Sequence, residues 1–163
     1  MRRATRLANR IERTVTGPMW HGPALLDVLT GVTCTQALAR PLPAAHTIWA
    51  IVLHVTAWCE IARQRIRGEA TGDPPQEQDW PPVPDAAAGA SVHAASGLPA
   101  QWERAVERLA ASHRLLAADT RLLDDEKLDA LVNGLDYTVG VMLDGIVEHG
   151  AYHGGQIALL RKS

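Results

Sequence analysis

Two histidines near the carboxyl end of the chain have the spacing of a metal-binding pair. His149 and His153 are four residues apart in a stretch with helical periodicity, so their side chains project from one helix face, one turn apart. On or beside that face lie Met142, Ile146, Tyr152, Gln156 and Leu160. The face is therefore expected to be buried, and two inward imidazoles one turn apart commonly bind a single metal ion.

A third histidine lies on the apolar face of another predicted helix. His54 shares that face with Ala50, Ile51, Ala57, Trp58 and Ile61. Taken alone, such a histidine is more often a core residue satisfied by hydrogen bonds. With the pair, it makes three imidazoles that face one interior, and a divalent cation would offset the cost of burying them. Three histidines plus a water form an open coordination set with catalytic potential, and metal affinity is expected to fall below about pH 6.5.

The other four histidines offer weaker evidence for a site. His113 lies on the inner face of its helix, where a core histidine is favoured over a pocket residue. His21, in the segment 20–23, either lines the mouth of the site or caps a helix. His46 precedes a helix and His93 lies in a loop, so both are expected at the surface.

Neither cysteine has the surroundings of a nucleophile. Cys59 lies about 140° around its helix from His54, and no base is near Cys34 in the sequence. Glu148 precedes His149 but points about 100° away from it, which favours a solvated or interhelical charge over a base. The chain also lacks the G-x-S-x-G, P-loop, G-x-G-x-x-G and H-E-x-x-H motifs.

Composition and charge exclude several classes of protein. The 163 residues carry 18 acidic and 16 basic side chains, a net charge of −2, which excludes the basic footprint of a nucleic-acid binder. Two cysteines suit a reducing cytosol, no apolar stretch reaches about 18 residues, and the basic N-terminus lacks the apolar region of a signal peptide. We therefore expect a soluble cytoplasmic protein, with no nucleic-acid or membrane partner, that folds as one domain over residues 1–163.

The elements that must position the histidines are helices. Apolar periodicity predicts four main helices, over about 2–15, 47–68, 99–119 and 137–161. Between the second and third lies a proline-rich connection, residues 69–97, which is unusually long for a compact domain. It is interpreted as a lid, a covering strap or a partly disordered crossover, and should be the least protected part of the chain. The fold class is therefore all-α, a four-helix bundle with a long crossover loop.

Glycines in the last helix leave two interpretations open. Each can cost up to about 1 kcal/mol relative to alanine in a helix interior. Their absent side chains either allow a neighbouring helix or subunit to approach closely, or they mark a break near residue 150 that would disturb the histidine register. They are Gly140, Gly145, Gly150, Gly154 and Gly155.

Three segments resemble the DinB-like superfamily, which is unrelated to the DNA polymerase of similar name. They are WHGPALLDVL at 20–29, HTIWAIVLHVTAW at 46–58 and HGAYHGGQIALLR at 149–161. The last is similar to the most specific family signature, two histidines separated by three residues and followed by a Gly-Gln pair. The resemblance implies a four-helix bundle, often dimeric, whose divalent metal is held by His54, His149 and His153, with Gln156 in a pocket or packing role.

The resemblance also implies a range of functions. Some members are thiol S-transferases or isomerases that use mycothiol, bacillithiol or glutathione, and many have no established activity. We expect a divalent metal (Zn, Ni, Fe, Co or Mn), a low-molecular-weight thiol, a small electrophile and a homodimer. The pocket candidates are Gln156, Tyr152, His113, His21 and Trp58.

Two alternatives to a thiol transferase stay open from the sequence. A metal-dependent hydrolase would need an inward carboxylate as base, and none lies centrally on either ligand face. A non-catalytic metal-binding or stress-response protein would usually have four protein ligands, and a fourth is not evident, although His21 or His113 could serve.

Overall fold

The computed structural model describes residues 1–84 and 97–163, and the helices in these ranges match the predicted all-α class. Four long helices form the bundle: α1 (Arg3–Thr16), α4 (Ile48–Arg67), α6 (Leu98–Arg121) and α8 (Val139–Leu160). Within these ranges, four short helices lie in the connections: α2 (Leu25–Leu29), α3 (Cys34–Leu38), α5 (Gln76–Asp79) and α7 (Asp125–Asp129). The four-helix architecture is thus confirmed.

The long helices form a ring in which sequence neighbours are not always spatial neighbours. Helix α1 packs against α6 and α8, and α4 packs against the same two helices, so α1 and α4 lie on one diagonal. Helix α2 packs against α1 and α8, and α3 covers α4 and α6. The contact between α4 and α8 is the one that matters for function, because these helices carry the three candidate ligands.

Local sequence signals set the ends of α4 and α8. The Thr47 hydroxyl accepts the backbone N–H of Ala50 at 3.1 Å, and Gly68 ends α4 in the left-handed conformation with a φ of 76°. Thr138 begins α8 in the same way, by accepting from the N–H of Val141. Capping of this kind contributes about 1 kcal/mol per helix and fixes where each ligand-bearing helix starts.

Helix α8 runs unbroken past its glycines. A Cβ at Gly150 would lie 2.3 Å from Cγ2 of Thr14 in α1, closer than packed atoms can approach. The bare backbone therefore lets α1 approach α8 beside the histidines, and the alternative of a break near residue 150 is wrong. Because the helix continues, His149 and His153 keep their one-turn register.

Part of the connection after α4 is helical. Its described portion, residues 69–84, contains α5, and α5 packs against α4. Gly72 N–H donates to the carbonyl of Asn133 at 3.5 Å, which ties this connection to the one before α8. Residues 85–96, which include His93, lie outside the described part, so the surface position of His93 stays a prediction.

No helix in the described residues has the length and apolar character needed to cross a membrane.

Candidate metal centre

Helices α4 and α8 bring the three predicted ligands together. One ring nitrogen from each of His54, His149 and His153 lies within 4.8 Å of the others, with His54 and His153 buried and His149 half-buried. The closest pair is His54 Nε2 and His149 Nε2, at 2.9 Å. Metal–nitrogen bonds of about 2.0–2.1 Å place ligand nitrogens within about 4 Å of one another, so small ring rotations would allow all three to bind one ion.

Hydrogen bonds on the far side of two rings orient the nitrogens that face the group. His54 Nδ1 donates to the carbonyl oxygen of Asp79 at 2.6 Å, and His153 Nδ1 donates to Oε1 of Gln156 at 2.7 Å. A neutral imidazole that donates from Nδ1 keeps a lone pair on Nε2. His54 and His153 are therefore held in the tautomer that offers Nε2 to a metal, and Gln156 has a positioning role that the sequence left undefined.

One wall of the site comes from the strap, residues 76–80, which the sequence did not assign to it. Trp80 stacks on His54 with ring centroids 3.8 Å apart, and the opposite side of Trp80 stacks on His46 at 3.6 Å. The Asp79 carboxylate accepts the indole N–H of Trp58 at 2.7 Å and lies 3.2 Å from His54 Nδ1. No periodic pattern marks these residues, because they reach the site only when the connection folds back over α4.

Burial makes the three imidazoles poor bases. It lowers the pKa of His149 to about 3, and the neighbouring His153 and His54 add to this shift because their rings oppose a positive charge on His149. It lowers the pKa of His153 to about 4. The pKa of His54 is also lowered, chiefly by burial. All three rings are therefore neutral at neutral pH and able to bind a cation. The pH below which protonation would prevent metal binding is lower than the value of about 6.5 expected from an unperturbed histidine.

A cavity of about 690 Å³ opens onto the histidines. Its volume lies within the range typical of small-molecule sites. Of the five pocket candidates, Gln156, Tyr152 and Trp58 line it, whereas His21 and His113 do not. The lining residues are His46, His54, Trp58, Asp79, Trp80, Tyr137, Val141, Met142, Gly145, Ile146, His149, Tyr152, His153 and Gln156.

His113 and His21 lie elsewhere in the bundle. His113 is completely buried, its Nδ1 donates to the carbonyl of Leu109 at 2.9 Å, and its Nε2 has no partner in the described part of the chain. It is the core histidine that the sequence favoured. His21 is exposed. Neither joins the candidate ligand group, which within the described residues consists of three histidines.

Neither cysteine lies at the histidine group, which for Cys59 is what its helical position predicted. Cys59 is buried beside His113, with its Sγ 3.6 Å from Nδ1 of that ring, and burial raises the pKa of its thiol to about 12. Cys34 is half-buried on α3. Neither lines the cavity, so the chain itself supplies no thiolate to this site.

Comparison with known proteins identifies the family. A family model described as the DinB superfamily matches residues 20–157. No curated protein and no solved structure matches the chain significantly. The match covers most of the chain, including α4 and all three histidines of the group. The chain therefore belongs to the DinB superfamily.

Proposed function

We propose that the chain binds one divalent metal through His54, His149 and His153, and that it transfers a low-molecular-weight thiol to a small electrophile. The observation that carries the proposal is the convergence of three neutral imidazoles on one end of a cavity of about 690 Å³. A three-histidine set leaves a coordination position open, which is the arrangement of catalytic rather than structural sites.

The donor set fits a borderline divalent ion. Imidazole nitrogens suit Zn, Ni, Fe and Co and are also accepted by Mn. When bound, such an ion would act as a Lewis acid and lower the pKa of a coordinated thiol. The residues of the chain would hold the site ready: Asp79 and Gln156 fix two ring orientations, and the strap shields His54 from water.

The cavity wall favours a carbon-rich ligand. Its lining includes Val141, Met142 and Ile146. Gly145 borders open space, since a Cβ at this position would meet no atom within 4 Å. Apolar surface of this kind would bind the carbon skeleton of the electrophile and keep water from the thiol. The cysteines of the chain lie outside the cavity, which supports a thiol that arrives as a small molecule.

A metal-dependent hydrolase is a second candidate, favoured by one observation. Asp79 is the one carboxylate among the described residues that line the cavity, and it lies 3.2 Å from Nδ1 of His54. It is therefore the residue that could act as a general base on a water molecule in the cavity. A non-catalytic metal protein is less well supported, because the candidate ligand group in the described residues has three members rather than four.

A thiol panel separates these functions. Protein loaded with each metal would be incubated with mycothiol, bacillithiol or glutathione and one chromogenic aryl halide, and then with a panel of esters and amides. Thiol-dependent loss of halide that disappears on chelation supports the transferase. Ester or amide hydrolysis without thiol, abolished in Asp79→Asn, would favour the hydrolase, and inactivity in both assays would favour a non-catalytic role.

The homodimer and the absence of nucleic-acid and membrane partners are parts of the same proposal. Sedimentation equilibrium of the metal-loaded protein tests the dimer directly. A mass equal to twice that of the chain supports it, and a monomer at all concentrations contradicts it.

A further inference from the structure

A buried arginine lies behind the far wall of the cavity. Arg65 is 3% exposed, yet no carboxylate in the described residues forms an ion pair with it. Its Nη2 donates to the carbonyl of Gly72 at 2.6 Å, and its Nε has no partner in the described part of the chain. A buried cation without a compensating anion is costly, so the charge calls for an explanation.

The guanidinium reaches the cavity through one tyrosine. Arg65 Nη1 donates to Oη of Tyr137 at 2.8 Å, and Tyr137 lines the cavity. Because the hydroxyl oxygen accepts from a cation, its own hydrogen is free to be donated elsewhere. Arg65 is the only hydrogen-bond partner of that hydroxyl in the described residues. The cavity therefore has a hydroxyl donor backed by a positive charge.

The guanidinium behind this donor lies near the histidines. The Trp58 ring is 5.5 Å from Arg65 Cζ and 5.9 Å from the His149 ring, so Arg65 and His149 are no farther apart than those two distances together. Of the residues between Tyr137 and His149 in the sequence, those that line the cavity are Val141, Met142, Gly145 and Ile146. One small molecule can thus contact the histidines and the hydroxyl while its middle lies against apolar surface.

We infer that Tyr137, with Arg65 behind it, binds the carboxylate of the ligand whose thiol lies at the histidines. The substrate class is then a thiol that also carries a carboxylate a few bonds away, rather than a neutral thiol. A hydroxyl polarised by a guanidinium donates a charge-assisted hydrogen bond, which favours an anionic acceptor over a neutral one. This inference rests on the proposed function for the thiol, whereas the carboxylate site can be tested without it.

The test uses matched acids and amides. Zinc-loaded protein would be titrated calorimetrically with ω-mercapto acids of three, six and eight carbons, and with the corresponding primary amides. At the chain length that spans the cavity, we expect the acid to bind about tenfold more tightly than its amide. Hexanoate and hexanamide, which lack the thiol, test the carboxylate site by itself and should show the same preference at weaker affinity.

The two tyrosines of the chain provide a matched pair of variants. Tyr137→Phe should reduce the preference for acid over amide to about twofold or less while leaving amide binding unchanged. Tyr152→Phe makes the same chemical change in the same cavity, and in it the preference should persist. Arg65→Met should resemble Tyr137→Phe if it folds, and Arg65→Lys, which keeps the charge, should restore part of the preference.

The outcomes distinguish this inference from the proposed function. Equal binding of acid and amide at every length, or a preference that survives Tyr137→Phe, overturns the carboxylate site and leaves the thiol function standing. A preference of hexanoate over hexanamide that depends on Tyr137, without any effect of the thiol, supports the carboxylate site and contradicts the thiol function. If Arg65 only held Gly72 in place, Tyr137→Phe would change thermal stability and not the preference.

Discussion

The group of three histidines at the cavity and the single histidine in the core of the same bundle have opposite chemical character. His54, His149 and His153 come from two helices and meet at a cavity, whereas His113 lies alone in the core with its Nδ1 bound to a carbonyl of its own helix. Burial lowers the pKa of the histidines in both groups. Burial and a perturbed pKa therefore do not define a metal site. The feature that marks a candidate metal site is the convergence of ring nitrogens from several histidines beside a cavity.

The two groups also differ in what surrounds them. The converging rings are oriented by Asp79 and Gln156 and covered by Trp80. His113 is instead completely buried, with the sulfur of Cys59 beside it. The first environment holds donors in place for a ligand, and the second buries a polar group as part of the core. The same substitutions and measurements applied to both sites should therefore give different results.

Metal binding at the three histidines should change the thermal stability of the protein more than any other property. A metal that binds only the folded state stabilises it by about 2.7 kcal/mol when free metal is 100 times the dissociation constant. Differential scanning calorimetry with and without a chelator should show this gain in the wild type and its loss in His149→Ala. His113→Asn should melt at a lower temperature, because the substitution disturbs the core. It should still show the full increase in melting temperature that metal gives and that the chelator removes. Loss of that increment in His113→Asn would remove the contrast.

A smaller effect is expected from the hydrogen bond that orients His153. Replacing a residue that orients a metal ligand typically weakens metal affinity 10–100-fold, and we expect a value in this range for Gln156→Ala. Competition with a metallochromic indicator gives the affinity directly. Glu148→Ala, on the exposed side of the same helix, serves as the control and should bind metal as the wild type does. Unchanged affinity in Gln156→Ala would mean that packing alone orients His153.

The pH dependence of metal affinity should appear at acidic pH and not near neutrality. The pKa values of about 3 for His149 and about 4 for His153 mean that both rings stay neutral at pH 5. Metal affinity should therefore change little between pH 7 and 5 and fall as the pH approaches 4. The metal-free protein should lose stability as the pH falls below about 6.5, because the histidines of the unfolded chain then bind protons, whereas the buried rings of the folded chain do not. An affinity midpoint near pH 6.5 would show that the rings are solvated.

The smallest effect is expected at the cysteines. Cys34→Ser combined with Cys59→Ala should leave metal content and any thiol-dependent turnover unchanged, although the cavity left by Cys59 should cost about 1 kcal/mol of stability. Metal analysis and the aryl halide assay check this. Loss of turnover with fold and metal intact would indicate that a thiol of the chain takes part.

The convergence of the three candidate ligands could be predicted in part, because helical periodicity shows which side chains share a helix face. A one-turn spacing and an apolar face place His149 and His153 together on one helix, and His54 follows from the same argument on another. The resemblance implied a four-helix bundle, and the fold adds that α4 packs directly against α8. The favoured interpretation of His113 as a core residue agrees with its complete burial.

The site residues that could not be predicted lie in chain segments without periodicity, or contact such segments. Asp79 and Trp80 reach the site from the connection after α4, and a proline-rich segment gives no signal of where it will fold back. The contact of Arg65 with Tyr137 joins the end of α4 to the residues just before α8, and neither position has a pattern that predicts its partner. Tertiary contacts between connections are set by the packed helices and not by local sequence.

The most direct test of the account is metal content measured by inductively coupled plasma mass spectrometry. Wild type, His21→Ala and His113→Asn should each bind about one ion per chain, as expected for a single three-histidine site. His54→Ala, His149→Ala and His153→Ala should each lose that ion after dialysis at the same free metal concentration, with helical content retained by circular dichroism. Full metal in any one of these three variants, or its loss in His113→Asn, would contradict the assignment of the site.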